Sequence, residues 1–366
     1  MGRVRVALAG VGNCASALVQ GVFYYMNAEE GQEVPGLTSV RLGPYHVGDI
    51  EWVAAFDVSR DKVGKDLAEA IFSGHNVTPR FADMPPRLGV EVSPGPVLDG
   101  VAPHMWSRFN PHSLEVSLGD VVDVLRSSDA DLLVNLLPVG SEEASRFYAR
   151  AALEAGAGFV NGIPVFIASS EEWVRLYEER GLPLVGDDIK GQLGATVLHR
   201  TLARLMAVRG VLVEETYQLN IGGNTDFENM LAEERLASKR TSKTRAVTSV
   251  LPNGERLESE GRVRIGPSDY VPFLGNTKVA YIHIKGRSFA GFPVVLEAKL
   301  TVDDKSMFAG AMIDAIRGAK IAMDRGIGGP IYSVSAPFFK HPPLQAPSDE
   351  EAHRWFREFI EGARER

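Results

Sequence analysis

The stretch "VRVALAGVGNCASALVQGVFYY", Val4 to Tyr25, restricts the fold more than any other part of the chain. An apolar strand candidate, Val4 to Ala9, runs through Gly10, Gly12 and Ala15 in a G-x-G-x-x-A spacing into a helical segment. The first glycine serves a tight turn, and the second lets backbone approach a pyrophosphate. The third small residue lets the helix pack close to the strand while its amino terminus faces negative charge. Asn13 and Cys14 lie in the same turn and are expected beside a dinucleotide. The alternative is a purely structural glycine turn. The next strand, "IEWVAAFD", ends in Asp57, which is placed to accept hydrogen bonds from an adenosine ribose. Asp57 lies well beyond the usual spacing of about 20 residues. The intervening "NAEEGQEVPGLTSVRLGPYHVGD" therefore reads as an inserted excursion.

A second strand, helix and strand crossover follows in "DADLLVNLLPVG", a helix from Glu142 to Ala155, and "AGFVNGIPVFIAS". Open parallel sheets receive ligands at the carboxyl ends of their strands. Val139, Gly140, Ser141, Asn161 and Gly162 are thus expected to frame the nicotinamide side, with helix capping as a competing role for Ser141. "EWVRLYEERG" reads as a surface helix, and "LPLVGDD" sets Asp187 and Asp188 at the end of one more strand, Asp187 on the cofactor side.

From about Ala195 the organisation changes. "ATVLHRTLARLMAVRG" has helical periodicity, and "VLVEETYQLNIGG" reads as a strand entering a glycine-rich loop. There, Asp226 is a candidate for capping the helix "FENMLAEERLAS" or for catalysis. "LASKRTSKTR" then places four basic residues in ten positions of a chain with net charge -8. Lys239 and Lys243, four apart, share one helix face, where like charges repel unless acids or a bound anion intervene. Arg240 and Arg245 raise that cost, and a phosphate ester would offset it. A solvated charge run is the alternative. "TKVAYIHIKGRSFAGFPVVLEAKLTVDD" alternates like antiparallel strands interrupted by Gly286 and Gly291, leaving Lys278 and Lys285 either at the surface or at a site. A long helix, "SMFAGAMIDAIRGAKIAMDRG", stops at Gly326; Lys340 sits among aromatic residues and prolines; "HPPLQAPSDE" reads as a short linker before the final helix.

The length of 366 residues suits two domains or one large domain with an insertion. The acidic balance argues against a general nucleic-acid or membrane surface and favours a small partner. A single cysteine, Cys14, excludes an intrachain disulfide or a dense cysteine metal site and fits a reducing compartment. Neither a membrane-length apolar run nor a secretory leader is read, so a cytoplasmic location is expected.

In order and spacing, "GVGNCAS", "LLPVGSEEA", "NGIP", "GDDIKGQLG", "NIGGNTDFENM", "SKRTSK", "NTKVA", "DRGIGGP" and "FFKHPP" resemble the compact form of the inositol-1-phosphate synthase family, also called myo-inositol-3-phosphate synthase. The resemblance covers nearly the whole chain. It implies an α/β fold: a Rossmann-like NAD-binding domain over residues 1–195, an inserted α+β catalytic and tetramerisation domain over 196–305, and a segment over 306–366 returning to the first. It also implies a homotetramer. The implied activity is redox-neutral conversion of D-glucose 6-phosphate to an inositol monophosphate, with NAD as cofactor and a monovalent or divalent cation of unspecified identity.

The residues that match the family's motifs are Asp188, Lys190, Asp226, Lys239, Lys243, Lys278, Asp304 and Lys340 for catalysis. Asn220, Asn224 and Asn229, with Lys239 and Lys340, match for substrate binding. Many compact members follow the acid at Asp304 with serine, proline and asparagine; this chain reads "DDKSMFAG", which adds Lys305 and leaves Asp303 as a competing match. A conventional NAD-dependent sugar-phosphate dehydrogenase and a non-catalytic NAD-sensing regulator are the rival functions.

Overall fold

The computed structural model describes residues 2–366. Its amino-terminal half supplies six strands of the main sheet: β1 (Val4–Ala9), β2 (Ile50–Asp57), β3 (Val92–Pro94), β4 (Leu132–Asn135), β5 (Gly158–Asn161) and β6 (Pro183–Val185). The middle supplies β7 (Leu212–Gly222), β8 (Val263–Tyr270), β9 (Thr277–Arg287) and β10 (Pro293–Asp303), and a last short strand is β11 (Gly329–Pro330). The first sheet is parallel throughout, in the order β11-β6-β5-β4-β1-β2-β3. Every residue of β4 and β5 is buried, as expected of strands covered on both faces. β1 lies between β2 and β4, so the strand order reverses there and opens a crevice at the carboxyl ends.

One face carries α1 (Asn13–Tyr25) and, packed along it, a helix from far down the chain, Asp304–Asp324; Leu18 and Val22 meet Met312, Ile313 and Ile316 in one core. The other face carries α2 (Leu118–Ser127), α3 (Glu142–Ala155) and α4 (Glu171–Arg180) through Val121, Leu125, Tyr148, Leu153, Trp173 and Tyr177. The span read for α3 is the span observed, and it closes on Gly156 at φ 87°.

In the second sheet, ordered β8-β7-β9-β10, β9 runs antiparallel to both β7 and β10. β8 is parallel to β7 and has no clear signal in the sequence, because Gly266 and Pro267 interrupt its alternation; the pairing register shifts at that point on this edge strand. One face packs Val213, Ile282 and Ile284 against α5 (Ala195–Val208) and neighbouring segments. The opposite face leaves Tyr217, Leu219, Tyr281 and Val295 exposed.

The excursion after α1 is tied to the returning helix: Thr38 donates through N and Oγ1 to Asp314, and Arg317 donates to the Val40 carbonyl at 2.8 Å. The stretch expected to be a linker is instead stitched into the fold. Asp349 accepts from Lys190 and Arg200, and the Ala346 carbonyl accepts from Arg200. Among the described residues, no helix is long and apolar enough to cross a membrane.

Candidate active site

β1 ends in a turn whose two glycines have different reasons to be there. Gly10 sits at φ 93°, and a Cβ on it would lie 3.0 Å from the Leu136 carbonyl oxygen, so the fold itself requires glycine. Gly12 has φ -91°, and a Cβ there would meet nothing within 4 Å. It occupies the cap position of α1 without bringing a side chain to the helix amides, which suits close approach by an anion. Asp57 is fixed against this turn, accepting from Val11 N and Ser59 N, each at 2.8 Å. Lys62, which the sequence reading missed, is buried and donates to the Val11 carbonyl, so the Val11 peptide is held from both sides. Nothing in "DVSRDK" separates that lysine from a surface one.

Asn13 lines the cavity and joins the two halves of the molecule: its Nδ2 donates to Thr225 Oγ1 at 3.0 Å and its Oδ1 accepts from Val77 N at 2.9 Å. Cys14 also lines the cavity, with its thiol pushed up by burial against the opposing pull of Lys305. Val139 and Gly162 contribute to the wall, joined by Leu136, Leu137 and Pro138, which were not singled out from the sequence.

Five expected cofactor contacts lie behind this wall. Ala15 is in the core beneath α1, where its small size serves packing. Gly140 abuts Arg235: a Cβ would come within 2.6 Å of that residue's own Cβ. Ser141 does not cap α3 with its side chain; its hydroxyl donates to the Pro138 carbonyl at 2.6 Å, and Asp99 accepts from the amides of Glu143 and Ala144. Asn161 bonds to Asn135, the Val165 carbonyl and Asp187. Asp187 accepts from the amides of Ile167, Ala168 and Ser169 as well as the Ser169 hydroxyl, with burial pushing its carboxyl up to about 6. These bonds use its acceptors within the fold.

Three lysine and aspartate pairs line the cavity. Asp226 does not cap its helix; Asn224 does, accepting from Asp226 N at 3.0 Å at the head of α6 (Thr225–Asn229). The Asp226 carboxylate is left to accept from Lys239 Nζ at 3.0 Å. Burial opposes its charge, but Lys239 and Lys305 hold the carboxyl down at about 2. Lys239 lies on α7 (Ala237–Thr248) with Lys243 on the same buried face, while Arg245 is exposed and Arg240 pairs with Glu233. The second pair joins Lys278, at the start of β9, to Asp304 at 3.2 Å. Asp304 heads the returning helix, α8 (Asp304–Asp324), and burial is outweighed there by Lys278 and Lys305, which hold the carboxyl well below the usual range. Asp303 instead caps α8 through Ser306 N and accepts from Asn276, so the acid in the cavity is Asp304. The third pair joins Asp188 to Lys340 Nζ at 2.6 Å, with Ser242 Oγ donating to the other carboxylate oxygen at 2.6 Å. Asp188 has φ 63°, a left-handed conformation held by backbone bonds to Ile163 and Lys340.

Lys243 lines the same cavity, is buried, and has no side-chain hydrogen-bond partner among the described residues. Burial first, then the charges of Lys239, Lys278 and Lys340, hold its amine well below the ordinary lysine range. Lys190 borders the cavity, but its ammonium is spent on Asp349 and the Ala336 carbonyl. Asn229 donates to the Val139 carbonyl and keeps a buried Oδ1 without a partner, while Asn220, outside the cavity wall, has an unpartnered Nδ2. Lys285 pairs with Glu215 away from the site.

A doubly wound parallel sheet, opening at its strand-order reversal onto a buried set of lysines and aspartates, defines a Rossmann-like α/β enzyme. The family model described as myo-inositol-1-phosphate synthase matches residues 194–305. Inositol-3-phosphate synthase of Corynebacterium glutamicum is 53% identical over 354 residues, covering 96% of each chain. That of Mycolicibacterium smegmatis is 53% identical over 365 residues, covering 99% of each. The crystal structure of a myo-inositol-1-phosphate synthase-related protein from Thermotoga maritima has a TM-score of 0.79 at 27% identity, over 98% of both chains. The chain belongs to the inositol-3-phosphate synthase family and is an enzyme of it.

Proposed function

We propose that the protein converts D-glucose 6-phosphate to 1L-myo-inositol 1-phosphate with no net oxidation, using NAD. The observation that carries this reading is Lys243, a buried amine without a hydrogen-bond partner among the described residues, in the same cavity as the glycine turn and three lysine and aspartate pairs. Oxidation at C5, enolisation towards C6, closure of C6 on C1 and reduction at C5 call for one site holding a base, partners for developing oxyanions and counter-charge for phosphate. The open position at Gly12 and the side-chain-free amino end of α1 fit a dinucleotide. NAD bound there supplies hydride transfer at C5 in both directions.

Lys243, in its neutral form, takes the proton of the C5 hydroxyl. Lys278 stands by the enolate and aldol oxygen, and Lys239 and Lys340 serve phosphate or enolisation. Asp226, Asp304 and Asp188 orient these three ammonium groups. That two bacterial relatives, at 53% identity, are inositol-3-phosphate synthases supports the product. We extend the reading to a cytoplasmic homotetramer joined through the exposed face of the second sheet, with units bounded at 195 and 305 and no nucleic-acid or membrane partner.

Carbon-labelled glucose 6-phosphate with NAD in small amount, followed by NMR, tests the reading. Labelled inositol phosphate exceeding the NAD added is the expected result. Reduced cofactor in proportion to an oxidised sugar phosphate would select the dehydrogenase, and NAD binding without conversion would select the sensor.

A further inference from the structure

Family resemblance leads to the expectation of a cation whose identity and ligands are unspecified, and Asp304, which heads α8, is the acid whose surroundings test it. The groups around Asp304 do not suit an added one. Asp304 Oδ1 accepts from Lys278 Nζ at 3.2 Å, and Oδ2 accepts from Asn224 Nδ2 and lies 3.1 Å from Lys305 Nζ. Calcium asks for six to eight oxygen ligands and magnesium for a near-octahedral set. Among the described residues no three His, Cys, Asp or Glu side chains come together to hold a metal ion.

We infer that the ammonium group of Lys305 is the resident cation of this active site, standing where a dissolved ion would otherwise sit beside Asp304. Turnover then needs no added cation, a consequence that rests on the synthase reading, whereas the position of the charge rests on geometry alone. Lys305 is the second residue of α8, and its side chain is buried. Its ammonium bonds Asp304 and lies within the influence of Asp226, and the Cys14 thiol at the amino end of α1 rests against it. It therefore stands between the glycine turn and the two acids. Burial disfavours its charge, but Asp304 first and then Asp226 hold its proton more firmly than an ordinary lysine's.

The charge balance gives this group its function. With Lys243 neutral, the ammonium groups of Lys239, Lys278, Lys305 and Lys340 face the carboxylates of Asp188, Asp226 and Asp304. Around Asp304, Lys305 adds a positive charge beyond the three lysine and aspartate pairs, one that a phosphate ester can use, and removing it leaves those three pairs alone. A lysine's compact point charge is a close match for an ammonium ion, so a small cation can replace it once the side chain is gone.

The test uses the full-length protein, passed over a chelating resin into tetramethylammonium chloride. Wild-type turnover is expected to change less than about twofold when ammonium, potassium or magnesium is added, while Lys305→Ala loses at least about tenfold and recovers most of it with ammonium. Binding of Mn2+, read by loss of the free-ion electron paramagnetic resonance signal, is a second measurement. Wild type is expected to leave Mn2+ free, Lys305→Ser to bind one ion per chain, and the Asp304→Asn change in that background to abolish the binding.

Cation-dependent turnover of wild type, Mn2+ bound to wild type through Asp304, or full turnover of Lys305→Ala in cation-free buffer would each overturn the inference. The wild-type measurements need no variant and remain decisive if a substitution misfolds. Should no inositol phosphate form under any condition, the synthase reading falls, and the Mn2+ titration still decides where the cation resides.

Discussion

Lys243 is buried and Lys340 partly buried, and their amines are in opposite situations. Lys340 donates to Asp188 and the Ile189 carbonyl; among the described residues Lys243 has no acceptor. Replacing Lys340 with Met leaves Asp188 buried without its cation and is expected to cost about 3 kcal/mol of stability. Lys243→Met removes a repelled amine, so the denaturation midpoint should hold or rise while turnover falls by at least about 100-fold. A base works when neutral. Because burial and three cations depress the Lys243 amine, kcat/KM should rise with pH and level off well below the 10.5 of an ordinary lysine. A rise that continues to that pH, or that persists in Lys243→Met, would contradict the assignment. The glycine turn offers a second contrast. Gly12→Val is expected to keep the melting temperature and lose at least about tenfold in NAD affinity by calorimetry, whereas Gly10→Val should unfold the protein more readily. The motif letters were legible from sequence, but not which glycine serves the fold and which the ligand, because that depends on the empty space beside Gly12 and on Leu136, 126 positions beyond Gly10.

Elements whose signal is local were read closely. α3 was bounded to the residue, since its apolar face and its terminal glycine lie in one continuous segment. β8 was not read, because glycine and proline interrupt it and its partner β7 supplies the pairing. Asn224 and Asp226 are both good capping residues within one turn, and only the geometry decides between them. The lysine and aspartate pairs span 13, 26 and 152 positions, so the sequence could name the members without matching them. α5 carries a further test. His199 bonds Thr216 and Gln218, and burial lowers its pKa to about 4. Its folded value lies below the unfolded 6.5, so the unfolded chain takes up the proton first and stability falls as pH drops from 6.5 to 4. The loss should approach about 3 kcal/mol. Urea midpoints at pH 7.5 and 4.5 measure it, and His199→Gln should flatten the slope.

Across the whole molecule, the exposed Tyr217, Leu219, Tyr281 and Val295 share one side of the second sheet. Joined with their counterparts they would become the centre of an interface. Light scattering after gel filtration should give a tetramer, and Leu219→Lys with Tyr281→Glu should give smaller species; a wild-type monomer would rule that assembly out. The long return of the chain has a consequence for biosynthesis. Met312, Ile313 and Ile316 fill the core beside α1, and β11 joins the sheet still later. A nascent polypeptide leaving the ribosome therefore exposes the apolar side of its first-made sheet until more than three hundred residues have been synthesised. During that interval it is a natural client for chaperones.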